Sequence, residues 1–153
     1  MIFVTVGTHH QAFDRLLGAL GELPGEELVV QYGPGAPPPG VRRAVDYLPF
    51  DEMLACYAEA EKVITHAGVG SILCARRAGH LPLVVPRRHD LGEHVDDHQA
   101  ELIRVLEKHR SVIAVWDTAD LAAAVAAAPP RSPVVSEVEP ALCPSVRAAL
   151  QGA

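Results

Sequence analysis

The 153 residues contain three cysteines, Cys56, Cys74 and Cys143, and no CxxC pair. An odd, widely spaced set argues against a disulfide framework or a zinc ribbon, and fits a reducing, cytoplasmic setting. No apolar run approaches the roughly 20 residues needed to cross a bilayer. The opening Met1-Ile-Phe-Val-Thr-Val6 lacks the basic flank and the length of a secretion signal, and reads as a strand. Thirteen Lys and Arg against 19 Asp and Glu leave a net charge of -6, so no broad basic surface for nucleic acid is expected. There is no GxxxxGK[ST] motif, which argues against a P-loop nucleotidase. What is present is 49% hydrophobic and 21% charged residues, ordinary for one soluble domain with its own core.

Strand-like runs alternate with helical patterns. Strands are predicted at residues 2–6, 27–32, 45–48, 62–65, 81–85 and 111–115. Phe13, Leu16, Leu17 and Leu20 recur at helical spacing, so residues 12–21 are predicted helical. Asp51 is a cap candidate for a helix to residue 60, with Met53, Leu54, Tyr57 and Ala58 on one face. Further helices are expected at 71–78, at 96–108 with Asp96 or Asp97 as cap, and after Asp117 to about 128. Gly33-Pro-Gly-Ala-Pro-Pro-Pro-Gly40 must be a loop, and residues 87–95 a polar one. The rhythm predicts an α/β fold, a doubly wound, six-stranded parallel sheet of Rossmann-like type. Its near-continuous apolar strands suit burial on both faces. Residues 1–128 form this domain. Residues 129–153 read as a Pro-rich tail, with a short helix expected at 145–150.

In a sheet of order 3-2-1-4-5-6, strands one and four are neighbours, and ligands bind between their C-terminal ends. Strand one ends in Gly7-Thr8-His9-His10. Strand four runs into His66-Ala67-Gly68-Val69-Gly70-Ser71, followed by a helix. Glycine permits close backbone approach, and the unpaired N–H groups and dipole of a helix start favour an anion. The alternative is a tight strand-to-helix turn and nothing more. Gly68 and Gly70 begin a GxGxxG-like pattern, but Leu73 stands at the third glycine and the pattern follows the wrong strand for a dinucleotide.

Thr65-His-Ala-Gly-Val-Gly-Ser-Ile72, Ala78-Gly79, Pro82-Leu-Val-Val-Pro86-Arg87 and Gly92-Glu-His-Val-Asp-Asp-His-Gln99 together resemble the C-terminal, donor-binding half of GT-B glycosyltransferases of family 28. Met1-Ile-Phe-Val-Thr-Val-Gly-Thr8 with Phe13-Asp14 resembles the start of free-standing versions of that half. Such versions occur as the small catalytic subunits of the dolichol-linked N-acetylglucosaminyltransferase and of split bacterial capsule and exopolysaccharide transferases. The resemblance implies that Gly7, Thr8 and His66 to Ser71 (with Ala67, Gly68, Val69 and Gly70 between) hold a donor diphosphate. Phe50 and Met53 would border the uracil, with Cys74 at the ribose. His98 and Gln99 would reach the donor sugar, a task suited to an amide that both donates and accepts. Many members carry a glutamate where this chain has Cys74, so ribose recognition must be weaker or supplied elsewhere.

Other polar residues keep two readings each. Arg87 and Arg88 follow strand five and are candidates to offset phosphate charge, or are solvated surface arginines. Glu93 and His94 are candidate acceptor or partner contacts. His94 and His98 are four apart, but Val95 occupies the place of a metalloprotease glutamate, so no metal is expected. His10 is a candidate general base, against a positioning role. The implied reaction is inverting transfer from a UDP-sugar donor to a saccharide acceptor, with no cofactor expected. A membrane-anchored partner subunit would bind a lipid-linked acceptor and supply the base, holding this chain at the inner membrane face. A non-catalytic nucleotide-sugar-binding regulatory module is the rival expectation. A nicotinamide oxidoreductase is disfavoured by motif position.

Overall fold

The structure, a computed structural model, describes residues 1–23, 25–94 and 97–132. The elements run β1 (Ile2–Thr5), α1 (Asp14–Ala19), β2 (Leu28–Gln31), β3 (Arg43–Val45), α2 (Phe50–Glu59), β4 (Lys62–His66), α3 (Val69–Arg77), β5 (Leu83–Val85), α4 (His98–Lys108), β6 (Ile113–Ala114) and α5 (Leu121–Ala127). All six strands are parallel, in the order β3-β2-β1-β4-β5-β6. This is the doubly wound, Rossmann-like sheet expected from the alternation. β1 and β4 pair directly, with Ile2 opposite Lys62 and Thr5 opposite Thr65.

The two-residue period of the strands sorts the core into two layers. Ile2, Val4, Leu28, Val30, Ile64, Leu83 and Val85 face Leu16 and Leu17 of α1 and Leu121 and Val125 of α5. On the other side, Phe3, Val29 and Val63 meet Cys56 and Tyr57 of α2 and Ala75 of α3. Val84 there meets Ile72 of α3 and Leu102, Ile103 and Leu106 of α4. Phe3 is fully buried and stands edge-on to Tyr57 at 5.0 Å between ring centroids. Burying such a ring contributes about 2–3 kcal/mol. Both sheet faces are thus covered, which a parallel sheet of this hydrophobicity requires.

Several boundaries differ from expectation. The third strand lies at Arg43–Val45 and not at residues 45–48, because Val29, Val30 and Gln31 pair with Arg43, Ala44 and Val45. Leu48 is buried beneath α2 and takes no part in the sheet. Asp51 does not cap α2. Pro49 is the N-cap, and Asp51 and Glu52 sit in the first turn, where their charge suits the helix dipole. The first helix shortens to Asp14–Ala19 and ends in a 3-10 turn, Leu20–Glu22. Asp97 precedes α4 without a side-chain cap, and its carboxylate accepts from the His89 N–H at 3.4 Å. Asp117 does cap, accepting from the Ala119 N–H at 2.9 Å. The expected loop at 87–95 contains a 3-10 turn, His89–Leu91.

Residues 129–132 run back along α2 and α3. The Arg131 guanidinium donates to the carbonyls of Ala78 and Ala58, and the Ser132 N–H donates to Gly79 O at 2.9 Å. The remainder of the expected tail, including the helix at 145–150, lies outside the described residues, as does Asp96. Among the described residues, no helix is long and apolar enough to cross a membrane.

Candidate functional site

Thr5 and Gln31, at the ends of β1 and β2, are polar residues inside an apolar sheet, and each is fully partnered. The Thr5 hydroxyl donates to Gln31 Oε1 at 2.6 Å and accepts from the Gly7 N–H at 3.2 Å. The Gln31 amide nitrogen donates to the carbonyls of Gly7 and Asp46, each at 2.9 Å. A buried amide with all its partners made is rigid, so the chain after β1 is held in place by its neighbours. Gly7 adopts φ +76°, a conformation that glycine takes without penalty.

The same glycine faces the last residue of β4. A Cβ on Gly7 would lie 2.3 Å from His66 Nε2, and a Cβ on Gly68 would lie 2.2 Å from His66 Cε1. The imidazole is therefore wedged between two glycines from two different loops. This contact joins the two strand ends that the sheet order brings together. His66 is buried, and burial first, then the Arg87 charge, pushes its pKa down to about 3. The ring is neutral at physiological pH. Its Nε2 is 3.3 Å from Ser71 Oγ, and its Nδ1 is 3.4 Å from Gln99 Nε2.

Helix α3 begins two residues earlier than expected, with Gly68 as N-cap and Val69, Gly70 and Ser71 as its first turn. The first intrahelical bond is donated by Ile72 to Gly68 O, at 3.1 Å. The amides before it have no partner within the helix and point out of its start. Ala67 is buried and Val69 half-buried against the α4 layer, which anchors the turn, whereas the Gly70 α-carbon opens onto free space. The arrangement offers backbone donors, a hydroxyl and a helix dipole at one place, the requirements of an oxyanion site.

Three more imidazoles stand nearby. The His9 ring lies 4.4 Å from that of His10 and 4.6 Å from that of His94, both edge-on. His9 Nδ1 accepts from the His10 N–H at 3.1 Å. Burial, Arg87 and the two neighbouring histidines lower the His9 pKa. Thr8 and His10 are exposed. Among the described residues, no three His, Cys, Asp or Glu side chains converge as ligands for a metal ion.

Arg87 and Glu93 are placed otherwise than a ligand-contacting role requires. Arg87 is 0% exposed. Its guanidinium donates to Val6 O at 2.9 Å, Gln11 O at 2.8 Å and Glu93 O at 3.0 Å, and stacks over Phe13 at 4.7 Å. It ties the end of β1 to the segment after β5, and contributes charge from below without touching the surface. Burial lowers its pKa to about 10, so it stays cationic. The Glu93 carboxylate, 5% exposed, is gripped by Arg15 through both oxygens, at 2.9 and 3.0 Å, and accepts from the Arg88 N–H. Arg88 is the surface arginine of the pair and bonds Asp90.

Gln99 is half-buried with its oxygen accepting from the Arg87 N–H at 3.2 Å. His98 is exposed and lies 3.6 Å from the Glu101 carboxylate. Beyond β3, Phe50 is 65% and Tyr47 63% exposed, while Met53 packs onto the α2 layer. Cys74 is half-buried against that same layer, and burial raises its thiol pKa. Gly7, Thr8, His9, Gln31, Gly33, Pro34, Asp46 and Tyr47 line a cleft of about 240 Å³ at the ends of β1, β2 and β3. Sequence reasoning passed over Gln31 and Tyr47. The signal for Gln31 was its place as the one polar residue closing the apolar run Leu28-Val-Val-Gln31.

The family model for the glycosyltransferase family 28 C-terminal domain matches residues 1–128. Among solved structures, the crystal structure of the glycotransferase of kitacinnamycin is similar in fold, with a TM-score of 0.53 and 22% identity, over 97% of this chain and 39% of that one. The chain thus spans about two fifths of the length of that structure. No curated protein matches it.

Proposed function

The chain belongs to the glycosyltransferase family 28 C-terminal domain family, and from that premise we propose that it binds the nucleotide-sugar donor of an inverting glycosyltransferase. The donor is a UDP-sugar carrying a hexose or N-acetylhexosamine. Its diphosphate sits at the start of α3, between Gly7-Thr8 and Gly68 to Ser71. The observation that carries this reading is the apposition of Gly7 and Gly68 about the His66 ring, beside the first turn of α3. The cleft leading to Tyr47 and Phe50 is a fitting place for the uracil, with one exposed aromatic on its wall and another close in sequence.

As the sugar leaves, negative charge builds on the diphosphate. The α3 amides, the Ser71 hydroxyl and the buried Arg87 charge are aligned before the reaction, so they stabilise that charge without reorganising. A base must also take the acceptor proton. His66 and His9 have lowered pKa values and are poor bases. Exposed His10 is the candidate base within this chain, and in our reading acceptor binding and the base itself come from a partner subunit, membrane-anchored and presenting a lipid-linked saccharide. In this reading His98 contacts the donor sugar, and His94 the acceptor side.

Calorimetric titration with UDP and with several UDP-sugars tests the donor site. Ser71→Ala is expected to weaken UDP about tenfold, the worth of one hydrogen bond to a charged group. Transfer is tested by co-expression with a candidate partner. UDP binding without sugar transfer by any such pair favours the rival reading, a nucleotide-sugar-binding regulatory module, for which the core-packed Cys74 at the ribose position speaks.

A further inference from the structure

Trp116, the single tryptophan of the chain, stands at the end of the last strand run. Alternation decides which way it faces. Val112 and Ala114 pack toward α4, and Ile113 and Val115 toward the α1 and α5 layer, so Trp116 lies on the α4 side. Sheet pairing stops one residue earlier, where the Val115 N–H donates to Val84 O at 2.8 Å. The indole therefore stays 40% exposed. Asp97, Ala100 and Arg104 share one face of α4 and its start at helical spacing, and the Arg104 guanidinium lies over the indole at 5.2 Å. Between this face, Trp116 and the segment after β5 is a cleft of about 490 Å³, at the same sheet end as the donor site. Its opposite wall is held from beneath. The buried Glu93 carboxylate, gripped by Arg15, accepts from the Arg88 N–H at 2.9 Å, and the Gly92 N–H closes the turn on His89 O at 3.0 Å. Arg88 and Asp90 stand out from that wall as a doubly bonded pair, at 3.0 and 2.6 Å.

Charge and shape narrow the ligand class. Among the described lining residues, Arg88 and Arg104 balance Asp90 and Asp97, so neither an anion nor a cation is favoured. A pyranose is neutral. Its vicinal hydroxyls donate and accept, which suits guanidinium and carboxylate forks, and its C–H face suits the negative face of an indole. We propose that this cleft is a second saccharide subsite, which takes a pyranose of the acceptor chain away from the reacting hydroxyl. It is separate from the donor-sugar position expected at His98 and Gln99. Gln99 turns to His66 and the Arg87 N–H, away from the face that carries Ala100 and Arg104. The partner subunit still presents the hydroxyl that reacts. The acceptor role rests on the glycosyltransferase reading above, whereas saccharide binding does not.

With one tryptophan in the chain, its emission reports on the cleft directly. The full chain is titrated with cellobiose, N,N′-diacetylchitobiose and maltose, by emission and by calorimetry. At least one should bind saturably and shift the emission, with a Kd on the order of 1 mM. A saturating UDP-sugar should alter that Kd less than about twofold. Arg88→Ala should weaken the saccharide about three- to tenfold, and Trp116→Ala about tenfold or more, with UDP affinity unchanged in both. Three results overturn the proposal: no disaccharide binds, the UDP-sugar displaces the disaccharide, or a folded Trp116→Ala chain binds it as the wild type does. A chain that binds disaccharide at Trp116 and ignores UDP would keep this cleft and lose the donor reading. UDP binding with no disaccharide bound would do the reverse.

Discussion

Replacing Gly68 by alanine should destabilise the protein, whereas the same change at Gly70, two residues on, should stabilise it. A Cβ on Gly68 would stand 2.2 Å from His66 Cε1, 2.6 Å from Nε2 and 3.1 Å from Nδ1. Carbon atoms pack at about 3.5–4.0 Å, so the ring must move by more than 1 Å. Gly7 blocks it from the far side, since the ring already occupies the space of a Gly7 Cβ. Moving breaks the contacts to Ser71 and Gln99. Overpacking costs about 1–3 kcal/mol, and each lost hydrogen bond about 1 kcal/mol. The sum, allowing for partial relaxation, is about 2–4 kcal/mol. For a domain of this size that lowers Tm by about 6–12 °C. At Gly70 a Cβ meets nothing within 4 Å, and the residue lies in the first turn of α3. Alanine there should add about 0.5–1 kcal/mol. Equilibrium urea unfolding of the two variants measures both signs. The cause is isolated by repeating Gly68→Ala in a His66→Ala background, where its cost should drop below about 1 kcal/mol. An undiminished cost there, or a Gly68→Ala variant as stable as Gly70→Ala, would refute the wedged ring.

Arg87→Met should cost about 3–5 kcal/mol, because the carbonyls of Val6, Gln11 and Glu93 lose a charged donor in the interior. Arg87→Lys should recover little of this, since one ammonium does not reproduce the planar fork; thermal melts of both variants check it, and a lysine variant of native stability would contradict the geometry. Stability should also fall with acid. His66, His9 and His80 have folded pKa values below the usual 6.5, so between the folded value and 6.5 the unfolded chain binds more protons. The stabilisation is complete above about pH 6.5 and is lost as pH falls, for His66 down to about 3. Unfolding free energies between pH 7 and 5, above the range of ordinary carboxylates, should decline by up to about 1.4 kcal/mol per pH unit for a single buried histidine. A flat or rising profile in that window would show that the ring is not held neutral.

Local chemistry made the architecture readable. Apolar runs of four or five residues, separated by helical spacing, imply parallel strands with helices on both faces, because only that packing hides strands apolar on both sides. The glycines at 7, 68 and 70 marked the two loops in the sequence, although only Gly7 and Gly68 answer a steric requirement, the His66 ring, while a Cβ at Gly70 meets nothing within 4 Å. Element ends were less legible. The third strand moved to Arg43–Val45 because its bounds follow from pairing with β2, and Leu48, apolar enough for a strand, is claimed by the underside of α2.

Side-chain roles that depend on distant partners were not legible at all. Arg87 follows a strand at the binding edge, and nothing in its neighbours says that it turns inward to meet carbonyls 76 and 81 residues away. Glu93 likewise meets Arg15 from the other end of the chain. Gln99 carries the chemistry of a sugar ligand and lies against His66. Composition and spacing record what each residue is able to do. Which of those abilities is used depends on which groups folding brings within about 3 Å, and for Arg87, Glu93 and Gln99 those groups are supplied by other elements of the sheet and its helices.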